Sequence, residues 1–215
     1  MDPQDKPKPF RVLVKGGEGE IIEKKSRFIA SIKPVESEEE ALRFMEEKKK
    51  QYWDARHNCS AYVIGNTLSL QRCSDDGEPS GTAGRPMLEV LTKEGICNVV
   101  VVVTRYFGGI LLGTGGLVRA YTQAVKAGLE NCQIGTMCYG RRLLLHTDYN
   151  GIGKIQYILG KMNIPIEESS YTNTVEIQIF VKEEELEKIK KEITEATSGQ
   201  CVIEELEKGY TLLQS

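Results

Sequence analysis

The 215-residue sequence has little histidine, one tryptophan and no long apolar segment. Its two histidines are isolated and its six cysteines form no CxxC pair, so neither a zinc site nor a redox dithiol is encoded locally. The longest valine run, 99–103, is far too short to span a bilayer. The opening MDPQDKPKPF carries charges and three prolines where a secretory signal needs an apolar core. We therefore expect a cytoplasmic protein with free thiols, no membrane partner, no metal and no cofactor.

The charge balance excludes a strongly basic nucleic-acid binder. The sequence has 28 Lys and Arg against 31 Asp and Glu, a net charge of -3, so contact with a polyanion requires a local basic patch. The hydrophobic content of 40% excludes wholesale disorder. The length suits one large domain or two small ones.

Strands mixed with helices in the first part of the chain predict an α/β or α+β domain over residues 1–135, and we expect an α+β protein overall. Glycines at 16, 17 and 19 predict a turn before a strand over 27–32, and a Ser37–Glu40 capping box predicts a helix over 38–53. Further predicted elements are a hairpin (59–64 and 67–72), a short helix (87–92), a buried strand (98–104) and a helix (117–130).

The remaining residues predict a second domain over 136–215. The net charge changes from +1 in residues 1–135 (19 basic, 18 acidic) to -4 in the remainder (9 basic, 13 acidic). Predicted strands at 143–147, 164–171, 175–181 and 201–206 alternate with helices at 151–162 and 183–196. That order, βαββαβ, is typical of a ferredoxin-like domain.

Four polar clusters stand at predicted strand ends, turns or helix starts, where binding groups are usually displayed. They are residues 56–59, 75–85, 104–107 and 113–116 with Arg119. The candidate binding residues are Arg56, His57, Asp75, Asp76, Glu78, Ser80, Thr82, Arg85, Arg105, Tyr106, Gly108, Gly109, Gly113, Thr114, Gly115, Gly116 and Arg119.

The glycine-rich loop from 108 to 116 holds five of the 21 glycines and leads into a helix. Free N–H groups there suit a phosphate or carboxylate. Thr114 replaces the lysine that a P-loop needs, however, and the dinucleotide fingerprint fails at its last glycine, which disfavours a nucleotide hydrolase. Two interpretations stay open: an anion-accepting or partner-contacting loop, and glycines that only permit tight packing and positive φ.

Catalytic and metal interpretations of the other clusters are weaker than structural ones. His57 and Cys59 share a strand face, but no third group orients them, so a core role for Cys59 is favoured. Asp75, Asp76 and Glu78 fail the EF-hand spacing and suit a polar turn. Arg85, Arg105 and Arg119 suit either phosphate binding or internal carboxylate pairing. We predict no catalytic and no metal-binding residue.

At these clusters the sequence resembles the YigZ/YvyE/Impact family. The blocks are ARHNCSAY (55–62), SDDGEPSGTAGRP (74–86), VTRYFGG (103–109) and LGTGGLVRAY (112–121). The resemblance covers about residues 15–130, and residues 137–211 resemble the extra C-terminal domain of bacterial members. It implies an N-terminal domain like the second domain of ribosomal protein S5. For the second domain it implies a ferredoxin-like fold similar to the last domain of elongation factor G.

The resemblance implies a non-catalytic, translation-associated protein whose partner is the ribosome, RNA or a translation-associated protein. Eukaryotic members regulate translation by competing for a coactivator of a stress-activated kinase. This sequence lacks their N-terminal RWD domain, so that role is not expected here. The alternative is a hydrolase-like enzyme for a phosphate- or peptide-containing substrate, acting through the 108–119 and 75–85 loops.

Overall fold

The computed structural model describes residues 7–213, which form two compact units. The N-terminal unit comprises residues 10–136; residues 137–213, with 7–9, form the C-terminal unit. Two sheets and five helices within the described chain make it an α+β protein, as expected from the sequence. The helices of residues 7–213 include none with the length and apolar character to cross a membrane.

The N-terminal unit is built around a five-stranded antiparallel sheet in the order β2-β3-β7-β4-β5. A short parallel pair joins β1 and β6 outside this sheet. The elements are β1 (Phe10–Lys15), β2 (Gly17–Glu23), β3 (Ser26–Pro34), α1 (Glu38–Gln51), β4 (His57–Ile64), β5 (Leu70–Ser74), α2 (Gly84–Lys93), β6 (Ile96–Cys97), β7 (Val99–Tyr106), α3 (Gly113–Leu129) and the start of β8 (Gln133–Thr147).

Helices cover both faces of this sheet because its central strand is apolar on both sides. Alternate valines of β7, Val100 and Val102, pack with Ala41 and Phe44 of α1. On the opposite face α3 places Tyr121 edge-on to Phe28 of β3, with the ring centroids 5.2 Å apart. Strand β7 is therefore buried on both faces, as its continuous valine run predicts.

Two glycines predicted to form a turn lie instead in strand β2. A Cβ atom at Gly17 would overlap the backbone of Asn131, and one at Gly19 would overlap the backbone of Ala127 in α3. The glycines are there because the helix crosses the strand at backbone contact, a long-range requirement that a local turn signal resembles. The predicted turn at this position is wrong.

Other element boundaries differ from the predictions by a few residues. Helix α1 begins where its cap predicts, with the Ser37 hydroxyl accepting a hydrogen bond from the Glu40 N–H at 3.2 Å. Helix α3 begins at Gly113 rather than at 117, so its first turn contains three glycines. Strand β5 begins at Leu70, three residues later than predicted, and the hairpin loop is longer than Gly65-Asn66.

The C-terminal unit has the element order βαββαβ expected from the sequence. Its elements are β8, α4 (Ile152–Lys161), β9 (Ile166–Tyr171), β10 (Val175–Lys182), α5 (Leu186–Ala196) and β11 (Val202–Leu213). Strand β10 is antiparallel to both β8 and β9, and β11 pairs with β8. Strands β8 and β11 are longer than predicted. Inward residues of the two helices, such as Ile155 and Ile189, are buried against Leu143 and Ile177.

Candidate functional site

Three of the four polar clusters meet at one end of the N-terminal sheet. The antiparallel register places His57, at the start of β4, opposite Arg105, near the end of β7. The loop after β5 joins them: the Nδ1 atom of His57 lies 2.8 Å from the backbone oxygen of Asp76. The Asn58 N–H donates to the Asp76 carboxylate at 2.7 Å. The clusters at 56–59, 75–85 and 104–107 are therefore one continuous hydrogen-bonded assembly.

Glu78 is the buried anion at the centre of this assembly. Its Oε1 atom accepts hydrogen bonds from Nη1 of Arg105 at 2.6 Å and from the Tyr121 hydroxyl at 2.8 Å. The Glu78 side chain is 3% exposed and that of Arg105 8% exposed. The guanidinium also lies against the rings of Phe28 and Phe107. Its Nε atom is buried without a hydrogen-bond partner among the described residues.

Tyr121 links this ion pair to the fourth cluster, because it lies on α3 two residues after Arg119. Burial, followed by the neighbouring Cys59 and Glu78, raises the pKa of the Tyr121 hydroxyl far above its usual range. The hydroxyl therefore stays protonated and donates to Glu78. Of the candidates in the fourth cluster, none makes a direct contact with the Glu78–Arg105 pair in the structure of residues 7–213.

Asp75 organises the loop that connects β5 to α2. Its carboxylate accepts hydrogen bonds from the N–H groups of Gly81 (2.8 Å), Ala83 (3.0 Å) and Gly84 (2.8 Å). Helix α2 has Ala83 at its N-cap position, with no side-chain cap of its own, so Asp75 caps it from eight or more residues away. Burial alone would raise the pKa of Asp75, but the three backbone donors outweigh it and hold the pKa below 3.8.

We expect Asp75→Asn to lower the free energy of unfolding by about 2 kcal/mol at neutral pH, because an amide cannot accept all three hydrogen bonds. The lowered pKa means that the unfolded chain binds this proton more readily, so the stabilisation is lost as the pH falls below the usual value of 3.8. Urea titrations between about pH 6 and pH 2.5 should show the two proteins converging in acid.

The exposed acid Glu39 provides the control for this measurement, since it contacts only Arg43 one helical turn away. Glu39→Gln should differ from the unmodified protein by less than about 0.5 kcal/mol throughout. If Asp75→Asn is less stable than the unmodified protein by the same free energy at every pH, the stabilisation does not come from the ionised Asp75 carboxylate.

The thiol of Cys59 is poorly suited to nucleophilic catalysis. It is fully buried, lies 3.0 Å from the backbone oxygen of Asp75 and 3.3 Å from the Tyr121 hydroxyl, and forms no hydrogen bond with His57 in the described structure. Burial, with the nearby carboxylates, raises its pKa to about 12. His57 in turn contacts a backbone carbonyl rather than a carboxylate. The residues that a thiol hydrolase requires are present in the assembly but are not arranged as a nucleophile, a base and an orienting group.

The glycine-rich loop is tightly packed at some glycines and open at others. A Cβ atom at Gly108 would overlap the backbone of Lys25, and the Gly108 N–H donates to the Ser26 hydroxyl at 3.1 Å. Gly109 and Gly113 have φ of 83° and 70°, which other residues rarely adopt. Gly115 faces open space. Packing at Gly108 and positive φ at Gly109 and Gly113 agree with the structural interpretation of the loop, and the anion-accepting or partner-contacting interpretation stays a prediction.

The remaining candidates differ in exposure. Arg56 and Arg119 are exposed and make no hydrogen bond or ion pair with any residue of the described chain. Arg85 is exposed, with only a weak contact to Glu89 at 3.7 Å. The other polar candidates are Tyr106, whose hydroxyl donates to Asp54 at 2.8 Å, Thr82, which is buried and donates to the Pro79 carbonyl at 2.6 Å, and the exposed Ser80 and Thr114.

Sequence reasoning missed several exposed residues beside these clusters, including the lysines of the β2–β3 turn, Trp53 and Leu111. The β2–β3 turn could have been predicted from the two residues, 24 and 25, that separate two strand-like segments. Within residues 7–213, no three His, Cys, Asp or Glu side chains are grouped so that they could hold a metal ion. A shallow groove of about 660 Å³ lies between α4 and α5 of the C-terminal unit, outside the four clusters.

Comparisons with known proteins match both units of the chain. Residues 24–129 match the family described as "Impact N-terminal domain", and residues 145–200 match a domain of unknown function, DUF1949. The chain is 46% identical to "IMPACT family member YvyE" of Bacillus subtilis over 94% of its length and 93% of that protein. It is 37% identical to "Protein IMPACT" of Mus musculus, over 43% of this chain and 30% of the mouse protein.

A solved structure shares the fold of the chain. A crystal structure of a "hypothetical protein" has a TM-score of 0.59 and 31% sequence identity. The match covers 94% of this chain and 99% of the solved one.

Proposed function

The chain belongs to the Impact family, and from this premise we propose that it is a cytoplasmic, non-catalytic binding protein of the translation apparatus. One observation carries the proposal: the Arg56 and Arg119 side chains are exposed and have no hydrogen-bond or ion-pair partner within residues 7–213, whereas Glu78, Asp75 and Asp76 all accept hydrogen bonds from the protein itself. The acids thus stabilise the surface, and the free cations are available to a ligand. The ligand is the ribosome, through its RNA or a protein of its surface.

The two folds that the family resemblance implies fit this proposal. We assign the N-terminal unit to the type of the second domain of ribosomal protein S5. We assign the C-terminal unit to the ferredoxin-like type of the last domain of elongation factor G. The βαββαβ element order and the strand order β11-β8-β10-β9 support the second assignment. Likeness to two folds of the translation apparatus is an analogy, so the binding face has to support the proposed role independently.

The proposed binding face consists of the exposed candidates, with the buried ones as its scaffold. Arg56, Arg85 and Arg119 supply positive charge and the loop 108–116 supplies open backbone. Arg105 and Glu78 hold the loops in place through their buried ion pair. The hydrolase alternative has no supporting observation, because the Cys59 thiol is buried with a pKa raised to about 12 and His57 lacks a carboxylate partner.

The test is co-sedimentation of the protein with purified bacterial ribosomes at increasing salt. We expect the unmodified protein to pellet at low salt and to be released as salt rises, since phosphate contacts weaken steeply with ionic strength. Arg56→Ala combined with Arg119→Ala should weaken pelleting about tenfold, through the loss of two phosphate contacts.

Arg43→Ala combined with Lys93→Ala is the matched control. It removes the same charge from exposed positions that pair only within their own helices. It should pellet like the unmodified protein. Equal loss in both double variants, or no pelleting of the unmodified protein at any salt concentration, would refute the proposed function.

A further inference from the structure

Three loops come together at one end of the N-terminal sheet, and two of them overlap the proposed binding face. They are the β2–β3 turn (24–25), the α1–β4 loop (52–56) and the segment after β7 (107–112). Gly108 packs directly on the Lys25 backbone, and the Tyr106 hydroxyl donates to Asp54 of the second loop at 2.8 Å. We call these segments the three-loop surface.

The three-loop surface exposes large apolar side chains in unusual number. Trp53 is 83% exposed, Leu111 82% and Phe107 42%, and Ile110 is exposed as well. Trp53 is the only tryptophan of the chain. Indole and phenyl rings left open to water at loop tips are costly in solution and favour a ligand with flat apolar faces.

The same surface carries unpaired positive charge. Lys24, Lys25 and Arg56 are exposed and form no ion pair in residues 7–213, and the one acid of the three loops, Asp54, accepts the Tyr106 hydrogen bond. Three free cations against one occupied acid make the three-loop surface itself locally basic in a chain of net charge -3. Charge complementarity therefore favours an anionic ligand.

The backbone of the β2–β3 turn holds its two lysines in an uncommon conformation. Lys24 and Lys25 have φ of 44° and 66°, the two-residue hairpin conformation that Asn-Gly adopts readily and that lysine adopts at a cost. Neither lysine contributes a hydrogen bond or ion pair that would offset the strain within the described chain. A strained turn that presents two free ammonium groups beside exposed aromatic rings suits a binding role.

We propose that the three-loop surface binds single-stranded RNA. Bases stack on Trp53 and Phe107, and the phosphates between them contact Lys24, Lys25 and Arg56, the combination by which single strands are held without sequence preference. The inference rests on the proposed function, since a ribosome-associated protein meets unpaired RNA. A protein ligand would need acidic groups for the three cations and is the competing outcome.

Trp53 makes the test specific, because all tryptophan fluorescence of the protein arises at this surface. Titration with oligouridylate of about ten nucleotides should quench the fluorescence in a saturable manner. Three phosphate contacts should weaken the affinity about twentyfold between about 50 and 200 mM salt. A duplex RNA of the same length, whose base faces are covered, should bind at least about tenfold more weakly.

Two variants separate binding from folding. Trp53→Ala, followed by anisotropy of a labelled oligonucleotide, should weaken binding about tenfold or more. Lys24→Asn combined with Lys25→Gly should raise the melting temperature, because the turn is no longer strained, and should lower the RNA affinity about tenfold. Opposite changes in stability and affinity cannot arise from damaged folding.

The outcomes distinguish this inference from the proposed function. Absence of quenching, or unchanged affinity in Trp53→Ala, would overturn RNA binding at this surface. If ribosome pelleting persists in that case, other contacts hold the ribosome and only this inference fails. If the pelleting is lost as well, the proposed function fails with it. Quenching with the expected salt dependence supports both.

Discussion

Glu78→Gln should lower the free energy of unfolding by about 4 kcal/mol, because it leaves the Arg105 guanidinium buried without a counter-charge. The Arg105 Nη1 atom lies 2.6 Å from Glu78 Oε1, and both side chains are at least nine-tenths buried. A glutamine keeps the size of the side chain and removes only the charge. Urea unfolding at neutral pH measures the loss, and a deficit below about 1 kcal/mol would show that solvent reaches the guanidinium.

Two further variants attribute this loss to the charge. Tyr121→Phe keeps the charges and removes the 2.8 Å hydrogen bond to Glu78 together with the weaker 3.3 Å hydrogen bond from the Cys59 thiol, and it should cost about 1–2 kcal/mol. Glu78→Leu combined with Arg105→Met replaces the whole pair with apolar side chains, and it should be less destabilised than Glu78→Gln alone. If the double variant loses as much stability as Glu78→Leu and Arg105→Met lose in sum, the loss does not come from an unpaired buried charge.

Gly108→Ala should destabilise the N-terminal unit by about 3 kcal/mol or more. The added Cβ atom would overlap the backbone of Lys25, and backbone atoms cannot rotate away as a side chain can. The melting temperature and the urea midpoint should fall together, and the β2–β3 turn should become more accessible to proteolysis. Unchanged stability would mean that the strand end and the turn are not in contact.

Gly115→Ala is the matched control within the same loop. A Cβ atom there meets nothing within 4 Å, and Gly115 lies in the first turn of α3, where alanine is the better helix former. Its stability should be unchanged or higher by about 0.5 kcal/mol. Reduced ribosome pelleting in this stable variant would identify the first turn of α3 as a ligand contact, whereas unchanged pelleting would assign the glycines there to backbone conformation alone.

Most secondary structure was predictable because its signals are local. The Ser37 cap predicts the start of α1, the valine run predicts β7, and alternating apolar residues predict the βαββαβ order of the C-terminal unit. The predictions failed where contacts between residues far apart in the chain determine the local conformation. Gly17 and Gly19 resemble turn residues, but they lie in β2 because α3 crosses that strand at backbone contact.

The family, the α+β class and the positions of the four polar clusters can be derived from contiguous residues. Which of the clustered charges are free depends instead on contacts between residues far apart in the chain. Arg105 and Glu78 are 27 residues apart, and Cys59 and Tyr121 are 62 apart, so their pairing depends on strand register and on how α3 lies over the sheet. Arg105 is buried and paired with Glu78, so it supports the loops. Arg56, Arg119 and the two lysines of the β2–β3 turn are exposed to solvent. The reason is physical: the cost of an unpaired charge depends on its surroundings, and no local sequence pattern encodes those surroundings.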